Sequence, residues 1–388
     1  MELAEPIYGN AGQLLLQPGV ALTQRYISRL RMEGVPAVYI QDADTTDVVA
    51  PRPIRQQTRI AARRELAAVI GNLTPFAPEL RELSLSLTRQ HVSTDRFAQA
   101  VRSAFGNGAF SAIENVADAI VGDLLNESVL SGLNSIKTHD AYTYQHSIDV
   151  TIMGVVLARK AGWDAERIRT FGIGCLLHDL GKVLIPPEIL NKPDRLTDVE
   201  FEQVKAHPLL GYQMIRAIGS DRYGLIAQVA YQHHERQDGS GYPRSLKGSN
   251  VLGHHPGLIH DFGAISAVAD VYDAMSSMRP YRGAWAPDRV VASIADWAGT
   301  QFNSQVVEIF LSVVTPYPLC SEVIFITGPH RGCRGVVTKV DPARPNQPSV
   351  RILYSAAGTR LEPIDVNLAI EQDMQIRSGH ADPIIIAA

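Results

Sequence analysis

Cys175-Leu176-Leu177-His178-Asp179-Leu180-Gly181-Lys182 carries a helical apolar segment into an adjacent pair of metal-binding side chains. The helical spacing runs from Ile168 to Leu180, and Gly181 is placed to end it. Neighbours on a helix point about 100° apart. A His-Asp pair therefore faces one point only near a helix end, or where two metals lie side by side. His233-His234 repeats the arrangement at the close of a helix predicted over Leu225–Gln232, and leads into Asp238-Gly239-Ser240-Gly241-Tyr242-Pro243. His146, His207 and Asp270 complete a set of seven groups able to bind a divalent metal, more than a mononuclear site needs. Imidazole and carboxylate donors without cysteine suit Fe, Mn, Zn or Ni better than Ca or Mg, and argue against a closed structural zinc site.

The seven groups sit on a helical background. Helical periodicity also marks Ile148–Ala161, Asp198–Ile218, Ala264–Ser277 and Arg289–Gly299. Residues 131–315 thus read as an all-α core with one long Gly-, Pro- and His-rich loop at 235–262. His146 falls at a helix start, His207 at a junction ahead of Pro208, and Asp270 inside a helix. Residues 1–52 read as a small α/β unit, with Leu14-Leu15-Leu16-Gln17-Pro18-Gly19 a short strand entering a turn, a helix over Thr23–Glu33, a strand over Val35–Ile40 and a linker over Asp42–Pro53. Residues 57–130 read as a helical connector broken near Gly106-Asn107-Gly108. A helical hairpin packed on the next domain is preferred there to a segment that forms a homodimer. Residues 318–388 read as a small β-domain, with strands over Glu322–Thr327, Arg334–Asp341 and Val350–Tyr354 and a disordered or loosely packed tail after Gln375. The predicted fold class is mainly α, a helical core flanked by a small α/β unit and a small β-domain.

A chain of 388 residues calls for two or three domains. Its 45% apolar and 20% charged composition is that of a globular protein, and a net charge of -4 does not favour non-specific binding to DNA or RNA. A local basic pocket for a small anion stays open. Apolar runs stop short of the ~18 residues of a membrane span, and Met1-Glu2-Leu3-Ala4-Glu5 lacks the start of a secretion signal. Cys175, Cys320 and Cys333 are odd in number and widely separated, and read as reduced thiols of a cytoplasmic protein. The N-terminal unit shows no acidic pocket of the receiver type.

Each donor alone has a plainer reading. A single histidine is more often a hydrogen-bonded core or surface residue. Asp179 ahead of Gly181 could be a turn residue, and Asp273 a group behind the donors or on the helix surface. Seven independent plain readings at once are improbable together. Asp179 is the natural bridge, because its two oxygens can each take one metal.

His178-Asp179-Leu180-Gly181-Lys182 resembles the signature of HD-domain phosphohydrolases. With His233-His234-Glu235-Arg236-Gln237-Asp238-Gly239-Ser240-Gly241-Tyr242-Pro243 the chain resembles the HD-GYP subfamily, bacterial phosphodiesterases of cyclic di-GMP. The resemblance runs from about Tyr142 through Arg282. His146-Ser147, His207-Pro208-Leu209-Leu210-Gly211 and Asp270-Val271-Tyr272-Asp273-Ala274-Met275 fall in family order. It implies one metal on His146, His178 and Asp270 and another on His207, His233 and His234, with Asp179 bridging them and a water or hydroxide between; Fe or Mn are the favoured ions. Some family members hold a third metal through a glutamate one turn before the first histidine. Tyr142 stands there, so a dinuclear centre is expected. The implied reaction is hydrolysis of cyclic di-GMP to linear pGpG, GMP or both.

The resemblance also assigns roles around the metals. Lys182 would stabilise charge on the phosphate. Water, Lys182 and Asp140 are alternatives for the general acid. Tyr242 would stack on guanine or bond to a phosphate, against a plain reading as a packed turn residue. Arg279 and Arg282 match positions that contact the nucleotide, against a reading as surface charges. His254, His255 and His260 lie outside the donor set and are expected in solvent, and the 253–263 run is longer than the family's. Two other functions remain: a catalytically weak or silent cyclic di-GMP receptor, and a more general HD hydrolase of another phosphoester.

Overall fold

The computed structural model describes residues 2–8, 14–32, 38–48, 53–88, 94–106, 108–126, 142–192, 194–218, 223–253, 255–277, 285–341 and 343–379. The chain is mainly helical. A small N-terminal unit pairs β1 (Glu2–Leu3) with β4 (Ile40–Gln41) and β2 (Ile7–Tyr8) with β3 (Leu14–Leu16), both antiparallel, beside helix α1 (Gln24–Met32). Leu3, Ile7 and Leu30 form its small core. Helices α2 (Gln56–Leu73), α3 (Ala77–Thr88), α4 (Thr94–Phe105) and α5 (Ala109–Asn126) follow.

The centre of the molecule is built from α6 (Tyr142–Lys160), α7 (Ala165–Leu177), α8 (Pro187–Leu190), α9 (Asp198–Val204), α10 (His207–Ile218), α11 (Tyr223–Gln232), α12 (Asp261–Ser276), α13 (Pro287–Asp296) and α14 (Ser304–Val313). One apolar cluster takes in residues from Ile54 to Val314, so α2–α5 share a core with α6, α7 and α10–α14. Phe171 of α7 and Phe262 of α12 are fully buried, with ring centres 5.2 Å apart, and tie those two helices together. Burying such a side chain contributes about 1.5–3 kcal/mol. Side chains stitch the layers as well: Arg102 Nη1 donates to the Ala217 carbonyl at 2.9 Å, and Arg159 Nη1 to that of Leu124 at 2.6 Å.

The region predicted as one helix over Asp198–Ile218 is two, because Pro208 has no backbone N–H to donate to the carbonyl four residues back, that of Val204. α9 stops at Val204, and α10 opens on His207, whose Nδ1 meets the freed Val204 carbonyl at 2.7 Å. The preceding 3-10 turn, Leu180–Leu184, crosses α10 so closely that a Cβ on Gly181 would lie 2.1 Å from the His207 carbonyl oxygen. Gly181 is therefore demanded by a close approach of backbones, and this contact brings Asp179 beside His207.

A five-stranded antiparallel sheet completes the described chain, in the order β8 (Arg360–Asn367), β7 (Ser349–Tyr354), β6 (Arg334–Lys339), β5 (Glu322–Phe325) and β9 (Ile376–Ser378). Val323, Phe325, Val337, Val350 and Ile352 alternate inward to form its core. Two expectations are corrected. The stretch after Gln375 is not loose up to Gly379: β9 pairs with β5, and Ile376 and Ser378 are buried. Val38 and Tyr39 are not in a strand; only Ile40–Gln41 is, and residues 33–37 lie outside the described ones. No helix among the described residues is long and apolar enough to cross a membrane.

Candidate metal centre

Five helices deliver the donors to one buried point. α6 carries His146 in its second turn, His178 caps the C-terminus of α7, and Asp179 follows it. His207 opens α10, His233 and His234 follow the last residue of α11, and Asp270 lies inside α12. All are buried except His234, which is partly exposed. Their donor atoms fall into three overlapping groups, each within 4.8 Å: His146, His178 and Asp270; His207, His233 and His234; and His178, Asp179 and His233.

Asp179 reaches both halves with different atoms. Its Oδ1 lies 3.4 Å from His207 Nε2 and 3.8 Å from His233 Nε2. Its Oδ2 lies 3.4 Å from His178 Nε2 and 3.7 Å from His146 Nε2. Asp270 divides likewise, with Oδ1 at 3.1 Å from His146 Nε2 and Oδ2 at 3.9 Å from His234 Nδ1.

The far nitrogens of the rings fix what the near ones can do. Nδ1 of His178 lies 2.8 Å from the Cys175 carbonyl, that of His207 2.7 Å from Val204, and that of His233 2.9 Å from Ala230. A carbonyl can only accept, so each Nδ1 carries the proton and each Nε2 turns a lone pair toward the cluster. His207 Nε2 and His233 Nε2 face each other at 3.3 Å. His178 Nε2 and Asp179 Oδ1 are buried without a hydrogen-bond partner. Leaving a buried polar group unmet costs about 1–3 kcal/mol. Converging lone pairs and orphaned acceptors are what a bound cation would satisfy, and the donor set fits a divalent transition metal.

Electrostatics favour the metal-binding protonation states. Burial, then the Lys182 charge, pushes His207 down to about 3. Burial, then His178, pushes His233 down to about 4. Burial, then His233, takes His234 well below the ordinary range. Burial opposes ionisation of both carboxyls, yet His178 and Lys182 hold Asp179 well below its usual value, and His146 does so for Asp270. His146 goes the other way: burial disfavours its charge, but hydrogen bonds to Asp270 and Asp273 carry it up to about 9. The Asp273 carboxylate sits 2.7 Å from His146 Nδ1 and is itself buried, so it stands behind the donors rather than on the helix surface.

Around the cluster, Lys182 donates to Asp179 Oδ2 at 2.6 Å. Tyr242 lays its ring against His234, with ring centres 4.8 Å apart. The loop carrying Tyr242 returns tightly under the donors: its backbone N–H donates to the His234 carbonyl at 3.1 Å, and a Cβ on Gly241 would come within 2.5 Å of that same oxygen. Glu235 was not singled out by sequence. It is buried and pins the loop, Oε1 accepting from the Arg244 N–H at 2.7 Å and Oε2 from that of Leu246 at 2.8 Å. Gln232, equally unmarked, accepts from the His260 N–H at 2.7 Å. His260 is not simply in solvent; its Nδ1 accepts from the Phe262 N–H and caps α12, while His255 is exposed. Asp140, Arg279, Arg282 and His254 lie outside the described residues, as does the side chain of Tyr142.

Comparison with known proteins gives the chain's family. The family model described as "HD domain" matches residues 133–306, a span that holds all seven donors and Lys182. A cyclic di-GMP phosphodiesterase of Pseudomonas aeruginosa is 32% identical over 346 residues, covering 86% of this chain and 77% of that protein. The chain belongs to the HD-GYP family. A second HD-GYP relative, a cyclic di-GMP phosphodiesterase of Thermotoga maritima, is 36% identical over 186 residues, which is 48% of each protein. A solved structure of an HDG"Y"P protein from Bdellovibrio bacteriovorus covers 80% of this chain and 94% of that one, at 15% identity and a TM-score of 0.38. The match to the Pseudomonas protein is far longer than the HD-GYP core, so it takes in flanking sequence too.

Proposed function

We propose that this chain is a metal-dependent phosphodiesterase that hydrolyses cyclic di-GMP to linear pGpG, GMP or both. The observation that carries the proposal is the division of Asp179, with one oxygen toward His207 and His233 and the other toward His178 and His146. A carboxylate so divided suits a bridge between two ions. In this reading His146, His178 and Asp270 hold one metal, and His207, His233 and His234 the other. The relatives' names supply the substrate. Fe or Mn are the preferred ions, with Zn or Ni as alternatives for this donor set. When bound, such a pair lowers the pKa of water toward neutrality and polarises the diester.

The chain's own groups prepare that chemistry. The Cys175, Val204 and Ala230 carbonyls hold three rings in one tautomer, and Asp273 orients His146. Lys182 sits at the edge of Asp179 and is assigned the charge that builds on the phosphate. Tyr242, beside His234, is assigned to the substrate, as are Arg279 and Arg282. The leaving 3′-oxygen takes its proton from water, Lys182 or Asp140. We assign residues 131–315 to the phosphodiesterase domain, 57–130 to a helical connector, and 1–52 and 318–388 to flanking units, with the protein acting in the cytoplasm.

Protein purified without oxygen and loaded with Fe or Mn should linearise cyclic di-GMP, with products resolved by chromatography. Tight binding without turnover would favour the silent-receptor reading, and no turnover with Fe, Mn or Zn would overturn the proposal.

A further inference from the structure

The outer wall of the site carries a feature that neither the donor set nor the family signature uses. Phe201 on α9 is 46% exposed, although it is a large aromatic side chain, and its apolar neighbour Val199 is 71% exposed. The short helix beneath is firmly built. Thr197 and Glu200 form a reciprocal cap at its start, and Lys192 pairs with Glu200 at 2.7 Å. At its far end Lys205, which is paired with Glu202, places its ammonium 5.4 Å from the Phe201 ring centre and 6.0 Å from that of Tyr242. Tyr242 in turn lies against the candidate donor His234. Candidate metal donor, ring, cation and ring therefore follow one another outward from the buried cluster. An exposed aromatic face next to a lysine is what a nucleotide base and its phosphate require, since every base has a π-face to stack and an ammonium meets phosphate as a point charge.

We propose that Phe201 and Lys205 form an outer subsite for the half of the cyclic dinucleotide that is not being cut, Phe201 stacking on its purine and Lys205 meeting its phosphate. This inference rests on the cyclic-dinucleotide reading of the site. Contacts to a remote half of the substrate bind ground state and transition state alike, so they act through KM and affinity. Val199 and Phe201 are then exposed because they wait for a ligand, and the cap that fixes α9 keeps the ring in place beforehand.

The test uses the full-length, metal-loaded protein with Phe201→Ala, Phe201→Trp and Lys205→Gln. Affinity is read with a non-hydrolysable phosphorothioate analogue of cyclic di-GMP. Selectivity is read as the ratio of kcat/KM for cyclic di-GMP to that for bis(p-nitrophenyl) phosphate, a small diester with no purine and no second phosphate. Phe201→Ala and Lys205→Gln should each weaken analogue binding and lower the ratio by about tenfold, the size of one lost stacking or charge contact. Phe201→Trp should restore both. Binding within twofold of the parent in both loss variants overturns the subsite while leaving the phosphodiesterase reading intact. So does an equal fall in both substrates, which would report damage passed along α9 to His207. If the parent protein cleaves the small diester but does not bind the dinucleotide, the substrate reading fails, and the subsite with it.

Discussion

Asp273 shows how much of the candidate site depends on one side chain that touches no metal in the assignment. It lies on α12 three residues beyond Asp270, hence on the same face, and holds His146 Nδ1 at 2.7 Å. Partners of this kind set ring orientation and basicity, and removing one typically costs 10–100-fold in metal affinity. Asp273→Asn should keep the fold and weaken metal binding by roughly that factor, read by competition with a chelator; unchanged affinity would strip Asp273 of its orienting role. The convergence of these seven side chains was legible in sequence because few structural demands put adjacent His-Asp and His-His pairs at helix ends. Gln232 and Glu235 were not, since their partners are backbone groups 28, 9 and 11 residues away, a distance no local pattern encodes.

At the scale of elements, most of the named helices were read to within a few residues, but α6 begins six residues before its expected start and α14 was not named. β9 has three residues and is a strand only because β5 offers it a partner. β8 holds Pro363 and mostly exposed side chains, so it shows no alternation; it lies at the sheet edge, where proline is tolerated. The break between α9 and α10 was signalled by Pro208, but its purpose was not: it frees the Val204 carbonyl for His207. The cap of α9 gives a pH test. Lys192, then the Thr197 N–H, lower Glu200 to about 2 from an ordinary 4.5. A carboxyl lowered by folding stabilises above its unfolded value and loses that contribution as pH falls through its folded one. Glu200→Gln should therefore lower Tm at pH 7, and the gap to the parent should shrink as pH drops from about 4.5 toward 2. A gap that does not change over that range would mean the charge plays no part.

Over the whole molecule, the segment after β4 meets the C-terminal sheet. Arg351 of β7 holds Asp47 at 2.6 Å and the Asp44 carbonyl at 2.8 Å, and Arg360 of β8 holds Asp42 at 2.7 Å and also pairs with Asp44. These charges are partly exposed, so each pair is worth little alone and is weakened by salt. The clasp should loosen first as ionic strength rises. Arg351→Ala with Arg360→Ala should expose the 42–48 segment to limited proteolysis at low salt, as high salt does in the parent; identical cleavage of parent and variant at low salt would contradict it. None of this was visible in sequence, because the partners lie 304 to 318 residues apart.

The proposed function makes the buried His/Asp cluster a metal centre, bridged by Asp179, that cuts cyclic di-GMP. Its most direct test is turnover of cyclic di-GMP by anaerobically metal-loaded parent and Asp179→Ala proteins, each with its metal content determined. The parent should hold about two metal equivalents and linearise the dinucleotide, and the variant should lose metal and at least about a thousandfold in kcat. Full turnover by Asp179→Ala, or none by a fully loaded parent, would contradict that assignment.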